Sequence, residues 1–92
     1  MLTMYQNKQN KSGKYQCPCC GYFTFNEPVD NHFDICPVCF WEDDGVQLTN
    51  PDYEGGANFV SLNQARKNFK EFGAVEKGFI SSVRLPLEDE LE

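Results

Sequence analysis

"CPCCGYFTF", residues 17–25, puts three cysteines in four positions ahead of a short apolar, β-favouring run. The remaining two cysteines, Cys36 and Cys39, stand in "CPVC" at residues 36–39. Taken together, Cys17, Cys20, Cys36 and Cys39 make a C-x2-C-x15-C-x2-C pattern, inside the spacing of a four-thiolate metal site. The spacing has a physical cause. Two cysteines three positions apart in a tight turn aim both sulfurs at one point, and the backbone N–H groups that follow point at those sulfurs. Pro18 and Pro37 fix φ after the first cysteine of each pair, and Gly21 permits positive φ after the second. Two such knuckles supply a closed tetrahedron of sulfur.

Sulfur tetrahedra suit zinc or a single iron. A rubredoxin holds its iron on two similar knuckles, but here Phe40-Trp41 follows Cys39 where a rubredoxin has glycine. The pattern therefore reads as zinc, with iron as the alternative. Two disulfides are opposed by the paired spacing and by the reducing compartment expected for the chain. Four thiolates on a divalent ion leave a formal charge of minus two, with no lysine or arginine between Cys17 and Val60 to offset it. Metal binding on the order of 10 kcal/mol would be available to folding, so the cysteine half is expected not to fold without the ion. Cys19 is the spare. It reads as a small buried side chain at the knuckle tip, as a redox-active thiol whose oxidation onto a ligand would eject the metal, or as an alternative ligand replacing Cys17 or Cys20. The single histidine, His32, reads as a surface or hydrogen-bonding residue.

The rest of the chain frames this ribbon. Ninety-two residues make one domain near the low end of what an apolar core stabilises alone. Residues 1–14 are polar and expected to be flexible, 15–87 to form the domain, and 88–92 to be an acidic tail. "YFTF" and "HFDI" read as short strands delivering the two knuckles, and residues 41–58 as an ordered acidic loop rich in turn formers. "SLNQARKNFKEFG", residues 61–73, is the one amphipathic helix. Ser61 is its N-cap, Gln64 completes a capping box, Gly73 ends it, and Leu62, Ala65, Phe69 and Phe72 form its apolar stripe. That stripe is expected to pack on Phe23, Phe25, Phe40 and Trp41. Arg66, Lys67 and Lys70 lie on the other side, either solvated or against the acidic loop. A further β segment is expected over residues 79–85. The fold class is α+β: a small zinc-ribbon-like domain with two cysteine knuckles on short antiparallel strands plus one helix.

"CPCCGYFTF…FDICPVCFWEDDGVQ…GGANFVSLNQARKNFKEFGA", reinforced by "VRLP", resembles the cysteine-rich CPCC family of small, mostly bacterial proteins. The resemblance runs from Cys17 to the acidic tail. It implies a zinc-ribbon fold and the four-cysteine site, and it implies no particular reaction.

Charge narrows the function. From Cys17 to Val60 there is no lysine or arginine, against eight acids, and the chain carries a net charge of −6. A polyanion is repelled by such a surface, which argues against nucleic acid. No apolar run nears the about 18 residues of a membrane span, the N-terminus does not read as a signal peptide, and the expected compartment is the cytoplasm. Glu42, Asp43 and Asp44 in "FWEDDG" suggest carboxylate catalysis or a hard-cation site, or else a solvated acidic turn. The chain lacks an H-E-x-x-H, a phosphate loop and a nucleophile elbow, so no catalytic residue is assigned and an enzyme is not expected. The favoured reading is a binding module that offers Glu42, Asp43 and Asp44 to a basic protein partner, an immunity- or antitoxin-like inhibitor being one form. The alternative is a redox or electron-transfer protein using iron or Cys19. The sequence does not give an oligomeric state.

Overall fold

The computed structural model describes residues 6–92. Strands β1 (Tyr15–Gln16) and β2 (Phe23–Phe25) pair antiparallel, with Tyr15 opposite Phe25 and Gln16 opposite Phe23. The first knuckle is the turn between them. Cys17 donates its N–H to the Tyr22 carbonyl (2.8 Å), and Gly21 donates to the Cys17 carbonyl (2.9 Å). The second knuckle repeats the pattern, from Cys36 N–H to the Trp41 carbonyl (2.9 Å) and from Phe40 N–H to the Cys36 carbonyl (2.8 Å). Gly21 sits at φ 85° and Phe40, its counterpart, at φ 73°.

The strand expected at "HFDI" is reduced to one bridge between Ile35 and Glu42. Asn31 and Phe33 both adopt φ 61°, and left-handed residues interrupt an extended strand. The segment expected to be an ordered loop contains a short helix, α1 (Gly45–Thr49), started by Asp44, whose carboxylate accepts from the Val46 and Gln47 N–H groups. Helix α2 (Leu62–Phe72) matches its expected span, with Ser61 accepting from the Gln64 N–H and Gly73 left-handed at φ 89°. Only half of the capping box forms, because the Gln64 amide donates forward to Asn68 Oδ1 (2.8 Å). Residues 77–82 form a 3-10 helix rather than the expected strand. It brings Phe79 onto Phe40, ring centroids 4.5 Å apart.

The molecule is a slab 35 × 31 × 19 Å. A layer that thin has few positions far from water, and among the described residues four of the twelve buried apolar ones are cysteines. Trp41, Leu62, Ala65 and Val75 complete the centre with Phe25, Val29 and Val38. Of the helix stripe, Leu62 and Ala65 are buried, whereas Phe69 and Phe72 are half-buried. Phe69 meets Tyr22 edge-on at 6.4 Å. Tyr22, not Phe23, packs against the core from the strand side.

Both ends of the chain pack onto this ribbon. The Asn7 amide pairs with the Val29 backbone through two hydrogen bonds (2.7 and 3.2 Å), and Gln9 bridges to Tyr15. The segment expected to be flexible is thus hydrogen-bonded from Asn7 onward, and its first five residues lie outside the described residues. The acidic tail is also docked. Glu90 is buried, paired with both terminal nitrogens of Arg84 (2.8 and 2.9 Å) and with Lys14 (3.6 Å). Among the described residues, no helix is long and apolar enough to cross a membrane.

Candidate metal centre

The two knuckles bring Cys17, Cys20, Cys36 and Cys39 together, with all four Sγ atoms within 4.8 Å of one another. Cys17 and Cys39 sulfurs stand 3.7 Å apart, and Cys20 and Cys36 sulfurs 3.8 Å. An ion with metal–sulfur bonds of about 2.3 Å at the centre of a tetrahedron needs edges of about 3.8 Å. The donor set fits a metal ion in size and in chemistry. Cys17, Cys36 and Cys39 are buried and Cys20 is half-buried, so the site reaches the surface at one corner.

Local hydrogen bonds prepare the thiolates. Trp41 N–H points at Cys39 Sγ (3.4 Å), and Thr24 Oγ1 lies 3.0 Å from Cys36 Sγ. Hydrogen bonds from Cys17, Cys20 and Cys39, and to a lesser extent from Thr24, push Cys36 well below the usual thiol range. Burial pushes Cys17 and Cys39 up, reinforced by neighbouring thiols. Cys36 therefore ionises before Cys17 and Cys39, and metal binding releases the protons that remain on the site. Arginines support the knuckles from outside. Arg66 Nε donates to the Pro18 carbonyl (2.9 Å), and the Arg84 backbone N–H to the Pro37 carbonyl (3.1 Å). Arg66 therefore lies on the first knuckle, not on the acidic loop, while Lys67 and Lys70 are exposed.

Every knuckle cysteine read from spacing is in the cluster, and Cys19 is not. It is buried in the core. His32 is exposed and outside the cluster. A model of the cysteine-rich CPCC family matches residues 15–90. The chain belongs to that family. No curated protein gives a significant match. The CPCC match covers the ribbon, α2 and the docked tail alike.

The acidic run is a correction. Asp43 and Asp44 are buried and do not form a surface. Asp43 accepts from the N–H groups of Asp30, Asn31 and His32 at 2.9–3.1 Å, closing the loop before the second knuckle. Asp44 caps α1 and also accepts from Ala57 N–H (2.8 Å). Glu42 is half-buried, its backbone N–H and C=O both held by the Asn58 side chain at 2.8 Å. Gln47, fully buried, ties the same region together by donating to the Tyr53, Asn58 and Val60 carbonyls. Gly56 is required by this packing, since a Cβ there would sit 2.5 Å from Asp44 Oδ2. The sequence carries no periodic or spacing signal for Thr24, Gln47 or Asn58 in these roles.

Proposed function

We propose that this CPCC protein holds one zinc ion as an architectural centre and acts by binding a basic protein partner. The observation that supports the zinc reading is the four-thiol cluster, two of whose sulfur–sulfur edges, 3.7 and 3.8 Å, have the length a zinc–thiolate tetrahedron needs. Zinc imposes no d-electron geometry of its own and suits an all-thiolate, closed position. A closed site leaves no coordination position for substrate, which favours binding over catalysis. The remaining acids favour a basic partner, because Glu27, Asp30, Asp34, Asp52 and Glu54 are all exposed in a stretch without a cation. Such a surface steers association and weakens with salt. An immunity- or antitoxin-like inhibitor of a basic toxin, working in the cytoplasm, is one form of this activity.

Metal analysis and thiol counting of the purified protein test the first part, with one zinc and one thiol beyond the four metal-bound ones expected. Affinity capture at low and high salt, read by mass spectrometry, tests the second. Loss of basic partners at high salt is expected, and salt-insensitive capture or capture of acidic proteins contradicts it.

A second reading starts from Cys19, a buried thiol next in sequence to Cys20 that the four-cysteine cluster leaves unused. A peroxide can take two electrons from Cys19 and one of the ligand cysteines, giving a disulfide and water and releasing the metal. Iron in place of zinc would instead make the site a one-electron carrier, visible as a coloured ferric thiolate.

A further inference from the structure

A cleft of about 440 Å³ lies beside the metal centre. One wall is the end of β2 and the turn after it, residues 24–27. The second is the approach to the second knuckle, residues 34–37, and the third is the C-terminal strap from Arg84 to Glu90. Thr24, whose hydroxyl touches Cys36 Sγ, belongs to this lining, so the cleft backs directly onto the thiolates.

Its charges are unevenly satisfied. The two cations, Lys14 and Arg84, are both committed to the tail, Lys14 to Asp89 and Glu90 and Arg84 to Glu90. Glu27 and Asp34 are exposed on the other walls, and among the described residues neither has an ion pair or a side-chain hydrogen bond. Four thiolates around a divalent ion add a formal charge of minus two behind them. The lips are apolar: Ile35 is 46% exposed and Leu87 51%. Unpaired carboxylates flanked by uncovered aliphatic side chains complement a chain that is basic and apolar in alternation.

We propose that this cleft receives an extended basic segment of a partner protein, a lysine or arginine side chain lying between Glu27 and Asp34 and its apolar neighbours covering Ile35 and Leu87. A polypeptide is favoured over a small cation because the apolar lips flank the carboxylates on two separate walls. The proposal rests on the protein-binding reading above and moves the partner surface from the acidic run to the cleft.

The test uses the metal-loaded full chain, isotope-labelled, with a labelled peptide of alternating arginine and leucine and a glutamate–leucine twin. Binding is read by fluorescence anisotropy and by amide chemical shifts. The arginine peptide is expected to bind, to shift residues 24–27, 34–37 and 84–90, and to weaken at least tenfold in Glu27→Gln/Asp34→Asn. Both substituted side chains are exposed and unpaired, so the variant keeps its fold, which its metal content verifies. Glu54→Gln/Glu71→Gln changes the net charge equally at other exposed sites, and its affinity is expected to stay within twofold of wild type. Equal weakening in both variants overturns the proposal, as does equal binding of the glutamate peptide or no binding at all. Shifts confined to another face overturn the cleft while leaving the protein-binding reading standing.

Discussion

The ribbon at residues 17–41 and the acidic segment at 42–58 both lack the apolar residues to hold themselves together, and they solve that problem differently. In the ribbon, four side chains converge on one point, where an ion can join them. In the acidic segment, Asp43, Asp44, Gln47 and Asn58 each reach outward to several backbone groups and need no ion. One region is thus expected to depend on a metal, and the other is built from hydrogen bonds. The comparison also shows that a run of carboxylates is not evidence of an acidic surface. Backbone N–H groups can take up that charge internally, as three of them do at Asp43.

Metal removal should have the largest effect. Chelation, or Cys36→Ser, removes a contribution on the order of 10 kcal/mol, and buried Trp41 should shift its emission to the red as the ribbon opens. Restoring the metal should reverse the shift only in the wild type. A chain that keeps Trp41 buried after chelation would erase the distinction between the two regions. Next comes Asp43→Ala, which strands three N–H groups and should cost about 3 kcal/mol in chemical denaturation. Its metal stoichiometry should stay at that of the wild type. Metal loss in this variant would show that the acidic segment supports the site as well as the loop.

Glu90→Gln should be milder, about 2 kcal/mol at neutral pH. Arg84 holds the Glu90 carboxyl at about 2, below its ordinary 4.5. A depressed carboxyl contributes stability above its unfolded value and loses it as pH falls. The gap between wild type and variant should therefore be full at neutral pH, narrow below about 4.5 and vanish near 2. A gap that does not change over that range would remove the ion pair as its cause. The smallest effect is expected for Phe40→Gly. Relief of a left-handed non-glycine residue, about 1 kcal/mol, offsets only part of what the half-buried ring loses in burial and in contact with Phe79, leaving a net cost of about 1 kcal/mol. Gly21→Ala strains the same position of the other knuckle with no ring to gain, and should be the worse of the pair.

What could be read in advance was local. The ligand set follows from two turns, each of which aims its own pair of sulfurs. Helix α2 follows from a serine, a glycine and a 3.6-residue stripe within thirteen positions. What could not be read depends on partners far along the chain. Asp43 turns inward because residues 30–32 present N–H groups to it, and Asp44 because Ala57 does. Helix α1 has five residues, too few for a periodic signal. Residues 79–85 have β-favouring side chains, yet the 3-10 turn there sets Phe79 on Phe40, a contact no local rule supplies. The tail reads as a solvated acidic end until Arg84, itself anchored at Pro37, is seen to hold Glu90.

The central claim is that Cys17, Cys20, Cys36 and Cys39 together hold a single ion. X-ray absorption at the metal edge of the purified protein, with metal content measured on the same sample, tests it most directly. The account predicts one ion per chain surrounded by four sulfurs at about 2.3 Å, unchanged in Cys19→Ala. A shell containing nitrogen or oxygen, a stoichiometry that falls in Cys19→Ala, or a folded protein without metal would contradict it.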